Sequence, residues 1–266
     1  MAIKLIALDI DGTLTGNAEN TVSERNREAI RRAQAQGVYV TIATGRACFA
    51  ARPFWRTLGI EGASIQYGGA LTVDTRTDEV LESVTLAPML VRDLMRFAWE
   101  NGIPAHLYQN DIIYTACENP YSRAYVQKNG MTLVVDPSVT TRLFDDVPKV
   151  LAFAEQSKEP ELHARFAERF GGVAHVTRSQ LTFVEINDFC ATKGKALMRL
   201  AKRLGVTREE VAAVGDSFLD IDMLEWAGTG VCVADGVEEA KRAADVIAPP
   251  SAEDGVADFI ERYVLQ

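Results

Sequence analysis

The 266-residue chain is 47% hydrophobic and 24% charged, the balance of a folded globular protein rather than a disordered or fibrous one. Its formal charge of -9 disfavours the phosphate-backbone attraction on which nucleic-acid binders rely. No stretch reaches the ~20 apolar residues of a membrane helix, so neither a nucleic acid nor a membrane is an expected partner.

The chain enters directly into the apolar run Ile3 to Leu8, a buried strand that ends in Asp9-Ile10-Asp11-Gly12-Thr13-Leu14. With no signal-peptide core ahead of it, a cytoplasmic location is expected. Thr21 and Ser23 can cap a helix over Glu24 to Gln36, which Gly37 stops. Val38 to Ala43 reads as a second strand, ending in Thr44-Gly45-Arg46. A helix from Ala47 to Leu58 and a strand from Ala63 to Gln66 complete a β-α-β-α-β alternation, the mark of a doubly wound parallel sheet.

The rhythm then changes. Ala70 to Val73 and Val80 to Ser83 read as a hairpin. Helices are predicted over Met89 to Asn101, Pro120 to Asn129 and Glu159 to Phe170. Short strands lie between and after them, near 105–108, 112–115, 131–135, 150–154, 173–177 and 182–186. Tight turns such as Gln109-Asn110-Asp111 predict an antiparallel sheet with its helices on one face. The doubly wound pattern resumes with a helix from Lys193 to Leu204, the strand Val211 to Val214, and Gly215-Asp216-Ser217-Phe218-Leu219-Asp220. The expected architecture is α/β: a Rossmann-like core from 1–83 and 186–266, with an α+β domain inserted over 84–185.

Four polar sites meet if the strands are ordered this way. Asp9 and Asp11 stand at the carboxyl end of a buried strand, where α/β proteins bind ligands. Carboxylates two residues apart repel unless a cation or proton lies between them. A carboxylate is a competent nucleophile toward phosphorus, and Asp11 is placed to act as general acid and then base. Thr44, Gly45 and the N–H groups around them can hold phosphate oxygens. Lys193, in Thr192-Lys193-Gly194-Lys195, opposes the helix dipole at a cost of ~0.3–1 kcal/mol, so an anionic partner is expected there. Asp216 facing Asp9 makes an oxygen-rich site suited to Mg²⁺. Asp222 reads as a first-turn helix acid.

Taken in this order, the motifs resemble those of the haloacid dehalogenase superfamily: Asp-x-Asp-Gly-Thr, a Thr or Ser, a Lys, and Gly-Asp-x-x-x-Asp. The inserted domain, with Lys-Gly just behind it, and the tail Asp254-Gly255-Val256-Ala257 are similar to the Cof-type subfamily with an α/β cap. The resemblance implies that Asp9 is the nucleophile and Asp11 the general acid/base. It implies phosphate binding by Gly12, Thr44, Gly45 and Lys193, with Arg46 and Asp220 in support. Mg²⁺ would be held by Asp9, the Asp11 carbonyl and Asp216. An acid at position 11 belongs to the superfamily's phosphatases and phosphomutases. Three positions depart from the subfamily: Leu219 where Asn is usual, Gly68-Gly69-Ala70 for Asn-Gly-Ala, and Asp235 for a late Asn.

Other residues read more plainly. His106, His163 and His175 lack metal spacing and are expected to be ordinary packing or surface groups. Tyr108, Arg123 and Arg178 could reach a substrate, but nothing selects them. Trp55, Trp99 and Trp226 are expected in the core. Arg25, Arg27, Arg31 and Arg32 form a solvated helix face with Glu24 and Glu28. Cys48, Cys117, Cys190 and Cys232 lie far apart without C-x-x-C spacing, as reduced and mostly buried thiols would. The expected function is a Mg²⁺-dependent phosphatase acting on a small phosphorylated metabolite, as a monomer or homodimer. A phosphomutase on the same scaffold, or a regulator that binds a phosphometabolite with negligible turnover, is the alternative.

Overall fold

The computed structural model describes residues 2–16, 21–179 and 182–265. In chain order, β1 (Leu5–Leu8), α1 (Glu24–Ala35), β2 (Tyr39–Ile42), α2 (Cys48–Thr57), β3 (Ala63–Gln66), β4 (Leu71–Asp74) and β5 (Val80–Ser83) come first. Next are α3 (Pro88–Glu100), β6 (Ala105–Gln109), β7 (Ile112–Thr115), α4 (Pro120–Asn129), β8 (Thr132–Val135), β9 (Val150–Phe153), α5 (Glu159–Phe170), β10 (His175–Arg178) and β11 (Phe183–Asn187). Last are α6 (Lys193–Leu204), β12 (Val211–Gly215), α7 (Ile221–Trp226), β13 (Thr229–Val233), α8 (Glu238–Ala243), β14 (Val246–Ala248) and α9 (Gly255–Tyr263). Two units result: Met1–Arg46 with Ala51–Glu82 and Lys193–Gln266, and Ala47–Ala50 with Ser83–Thr192. Among the described residues, no helix is long and apolar enough to cross a membrane.

The first unit is α/β. Its parallel sheet runs β14-β13-β12-β1-β2, with the fully buried Leu5, Ile6, Ala7 and Leu8 near its centre. Leu8 pairs in register with Ile42 on one side and Val214 on the other. The residues just beyond these three strands therefore emerge side by side at one sheet end. That is the point where strand order reverses. Ser23 caps α1 by accepting the Asn26 N–H at 3.0 Å, and Gly37 ends it with φ +84°.

One expectation is corrected here. The strand over Ala63–Gln66 does not join the doubly wound sheet. It pairs antiparallel with β4 in a separate sheet, β3-β4-β5. It meets β2 and its end through a parallel Ala43–Ile65 bridge, the Thr44 N–H on the Ile65 carbonyl at 3.0 Å and the Thr41 hydroxyl on the Ala63 carbonyl at 2.8 Å. Tyr67, Gly68 and Gly69 take φ of 52°, 68° and 105°, and this left-handed run turns the chain straight back on itself.

The second unit carries a six-stranded sheet in the order β10-β11-β9-β6-β7-β8. It is antiparallel except where β7 meets β8, which run parallel because α4 crosses between them. Helices α3 and α5 pack Leu94, Met95, Phe166 and Phe170 over Leu107, Val150, Ala152 and Ile186. Helix α4 lies on the opposite face: its Ser122 and Tyr125 meet His106, which alternates with Leu107 along the strand. Helices thus cover both faces, not one as the sequence suggested. The reason is visible in β6, whose first four residues are all buried.

Three smaller expectations change. Trp55 is buried at 2% exposure but Trp99 is 53% exposed, and Trp226 only packs against the core from its edge. Of the free cysteines only Cys232 is buried, while Cys117 and Cys190 are exposed. Within the arginine cluster, Arg27 and Arg31 pair with Glu24 and Glu28 as expected, and Arg25 reaches Glu261 at 2.7 Å.

Candidate active site

Asp9 is the first residue past β1, and its N–H continues the ladder to the Val214 carbonyl at 3.0 Å. The parallel register then places Asp216 just past β12 and Thr44 just past β2. The turn after Asp9 closes on itself through Leu14 and Thr15 N–H bonds to the Ile10 carbonyl. Gly12 sits in it at φ +84°, where a Cβ would lie 2.5 Å from Asp216 Oδ2. Only glycine allows both that backbone and that approach. The Gly12 N–H donates to the Thr15 carbonyl at 3.0 Å. The missing side chain leaves room beside Asp216.

The charges in the site are unbalanced. Lys193 Nζ donates to Asp9 Oδ1 at 2.6 Å and to Asp220 Oδ1 at 2.6 Å, all three residues being buried. Thr13 donates its hydroxyl to Asp216 Oδ1 at 2.6 Å. Asp9, Asp216 and Asp220 each offer an oxygen within 4.8 Å of the others. Burial, opposed by Lys193 and reinforced by Asp220 and Asp11, pushes the Asp9 carboxyl up to about 7. Burial, then Asp9 and Asp220, hold the Asp216 carboxyl well above its ordinary range against the Thr13 hydrogen bond. Burial works against the Lys193 charge, yet Asp220 and Asp9 outweigh it and hold the ammonium more firmly than in water. Three carboxylates around one ammonium leave a negative surplus. An all-oxygen donor set with surplus charge fits a hard divalent cation such as Mg²⁺.

Asp220 is oriented from below. Its Oδ2 accepts the N–H groups of Asp216 and Ser217 at 3.1 and 2.9 Å and the Ser217 hydroxyl at 2.7 Å. Asp11 stands apart from the cluster. Arg46 grips it with two hydrogen bonds, and the guanidinium lies 4.6 Å from the Phe54 ring centroid. Thr44 is fully buried; its Oγ1 accepts the Arg46 N–H at 3.1 Å and its carbonyl accepts the Gly68 N–H at 2.9 Å. Gly45 follows, half-buried.

Sequence reasoning overlooked several contacts. Thr13 lies within the first motif, yet sequence alone gives no sign of its bond to Asp216. Nor does it show the hold of Arg46 on Asp11. Asp222 does stand in the first turn of α7, yet its carboxylate also accepts the Gly194 N–H at 2.9 Å. No short-range sequence signal links positions so far apart. Of the departures, Leu219 is half-buried and Gly68 is spent in the turn at φ +68°. Asp235 accepts the Ser251 N–H and hydroxyl at 2.8 and 2.6 Å.

The remaining candidates lie in the second unit. His106 is fully buried, with Nδ1 3.0 Å from Ser122 Oγ and edge-to-face contacts to Tyr108, Tyr125 and Phe153. His163 Nε2 lies 3.4 Å from the Val176 carbonyl, and His175 starts β10. Tyr108 is fully buried, Arg178 pairs with the buried Glu159 at 2.6 Å, and Arg123 pairs with Glu118.

The family model for haloacid dehalogenase-like hydrolases matches residues 6–260. The chain is 32% identical to a 5-amino-6-(5-phospho-D-ribitylamino)uracil phosphatase, YcsE, of Bacillus subtilis (strain 168), over 99% of this chain and 96% of that protein. It is 30% identical to the phosphatase YwpJ of the same organism, over 98% of this chain and 100% of that one. A crystal structure of a haloacid dehalogenase-like hydrolase from Bacteroides thetaiotaomicron superposes with a TM-score of 0.84 at 32% identity, covering 98% of this chain and 99% of that chain.

Proposed function

This chain belongs to the haloacid dehalogenase-like hydrolases, and on that premise we propose that it is a Mg²⁺-dependent phosphatase of small phosphate monoesters. The substrates are sugar phosphates or related phosphorylated metabolites, the class to which the phosphoribityl compound named for one relative belongs. The observation that carries the reading is the buried Asp9–Lys193–Asp220 chain beside Asp216.

In the proposed reaction an Asp9 oxygen attacks phosphorus in line, the ester bond breaks, and the leaving alkoxide takes a proton from Asp11. Asp11, now a carboxylate, takes a proton from water as that water attacks the aspartyl phosphate. Inorganic phosphate leaves and Asp9 is regenerated. Lys193, Thr44 and the N–H groups around Gly45 hold the phosphate oxygens. Asp220 keeps Lys193 aimed, and Arg46 keeps Asp11 in place. Mg²⁺, held by Asp9, Asp216 and the Asp11 carbonyl, would offset repulsion between the acids and a dianionic ester. The inserted domain over 84–185 acts as a cap that selects the leaving group. The protein works in the cytoplasm.

A phosphate-release screen across a metabolite panel, with and without Mg²⁺, tests this. Release that needs Mg²⁺ and favours sugar phosphates supports it. Tight metabolite binding with no release contradicts it.

A further inference from the structure

Lys193 is the first residue of α6, whose opening turn holds two cations, Lys193 and Lys195, and no acidic side chain. Cations at the positive end of a helix are unfavourable, and first-turn N–H groups need acceptors. The acceptor comes from another helix. Asp222, in the first turn of α7, takes the Gly194 N–H on Oδ2 at 2.9 Å. The approach is close: a Cβ on Gly194 would stand 2.5 Å from the Asp222 carbonyl oxygen and 2.7 Å from Oδ2. Asp220, two residues earlier, takes the Lys193 ammonium on Oδ1 at 2.6 Å. One short segment thus holds the head of Lys193 and the amide of the residue behind it.

We propose that Asp222 is a positioning residue for the phosphate-holding lysine, fixing Lys193 along the axis of α6 through the Gly194 amide. The inference rests on the phosphatase reading and adds a specific residue to it. Asp222 touches no reacting atom. A side chain can adjust its reach only within the limits its backbone sets, so the position of the ammonium depends on both holds. Losing the backbone hold leaves the Asp9 and Asp220 bonds available but frees α6 to shift, which weakens phosphate binding before it affects the bond-breaking step.

Full-length protein carrying Asp222→Ala, Asp222→Asn or Asp222→Glu is compared with the parent in hydrolysis of p-nitrophenyl phosphate and in inhibition by inorganic phosphate. In Asp222→Ala, KM and the phosphate inhibition constant are expected to rise about tenfold, the scale of one lost hydrogen bond to a charged group, with a smaller fall in kcat. Asp222→Asn keeps an acceptor and is expected to return both within about threefold of the parent. Asp222→Glu keeps the charge but displaces the acceptor, so it is expected to raise both constants, and it stands in if the alanine variant fails to fold. Hydrogen exchange of the Gly194 amide gives a readout independent of turnover: protection is lost in Asp222→Ala and kept in Asp222→Asn. Unchanged KM and phosphate inhibition in the alanine or glutamate variant overturn the proposal. So does an asparagine variant as impaired as alanine, or a fall in thermal midpoint alone. A parent enzyme that releases no phosphate from any ester instead strikes the phosphatase reading, while the exchange result still decides whether Asp222 holds α6.

Discussion

Arg46 clasps Asp11 with its planar fork, Nε to Oδ2 at 2.8 Å and Nη2 to Oδ1 at 2.6 Å. Phe54 lies beneath the guanidinium, so the clasp is held in one orientation. Asp11 is the carboxyl proposed to exchange protons with the leaving group, and such exchange depends on placement.

Arg46→Lys keeps the charge and loses the fork. Turnover of alkyl phosphates, whose alkoxide needs a proton, is expected to fall about tenfold or more. Turnover of p-nitrophenyl phosphate, whose leaving group is stable as an anion, is expected to fall less. Parallel assays on the two substrates check this; equal losses contradict a role through Asp11.

Lys193 is the only cation hydrogen-bonded to Asp9 or Asp220 among the described contacts, and it is 1% exposed. Lys193→Met leaves two buried carboxylates facing each other. Breaking a buried ion pair from one side costs ~3–5 kcal/mol, an upper figure here because Asp9 can take up a proton. Urea unfolding should show the loss, and phosphate release should drop on the order of a hundredfold or more. Lys193→Arg should not restore activity, since a planar fork cannot occupy the site of a compact ammonium. A stable, active methionine variant would rule out the role given to Lys193.

Much of this site was legible in the sequence because its parts are local. Each acidic motif directly follows an apolar strand, and parallel pairing of β1 with β2 and β12 brings the strand ends together. Glycine beside Asp11 and lysine beside glycine at a helix start are equally local signals. What stayed hidden depends on side-chain reach across the fold: Arg46 to Asp11, Thr13 to Asp216, Asp222 to Gly194. The misplaced β3 strand has a similar cause. Its apolar pattern fits either sheet, and only the left-handed turn after it decides the pairing. In the second unit, buried His106 opposite buried Leu107 means a strand covered on both faces, a pattern that alternation rules read poorly.

The surplus of carboxylates predicts that a divalent cation stabilises the fold. Mg²⁺ at one hundred times its dissociation constant should add about 2.7 kcal/mol, seen as a raised thermal midpoint. Asp216→Asn should shrink that gain, and chelation should abolish turnover. Ca²⁺ should raise the midpoint yet support turnover poorly, because its looser coordination spoils in-line geometry. Full activity after chelation and dialysis would sink the metal requirement.

Burial, aided by Lys149, depresses His106 well below its ordinary value of 6.5. The folded protein therefore binds fewer protons at this ring than the unfolded chain does. The stability that comes from a neutral ring is fully present above 6.5, and it is lost as pH falls from there through the depressed folded value. Urea midpoints measured from neutral to acidic pH should fall less steeply in His106→Gln than in the parent. Turnover of p-nitrophenyl phosphate at neutral pH should survive the change nearly intact. Identical pH slopes would show that His106 does not titrate on unfolding.

The central claim is that Asp9 takes the phosphoryl group and Asp11 handles the proton. Asp11→Asn keeps the backbone carbonyl but can neither protonate a leaving group nor activate water, so hydrolysis of the aspartyl phosphate should slow by ~10²–10⁴-fold. Incubating Asp11→Asn with p-nitrophenyl phosphate and Mg²⁺, quenching in acid and mapping the labelled peptide should find phosphate on Asp9. The same experiment on Asp9→Asn should find none, and that variant should not turn over. Phosphate on any other residue, or an active Asp9→Asn enzyme, would contradict the account.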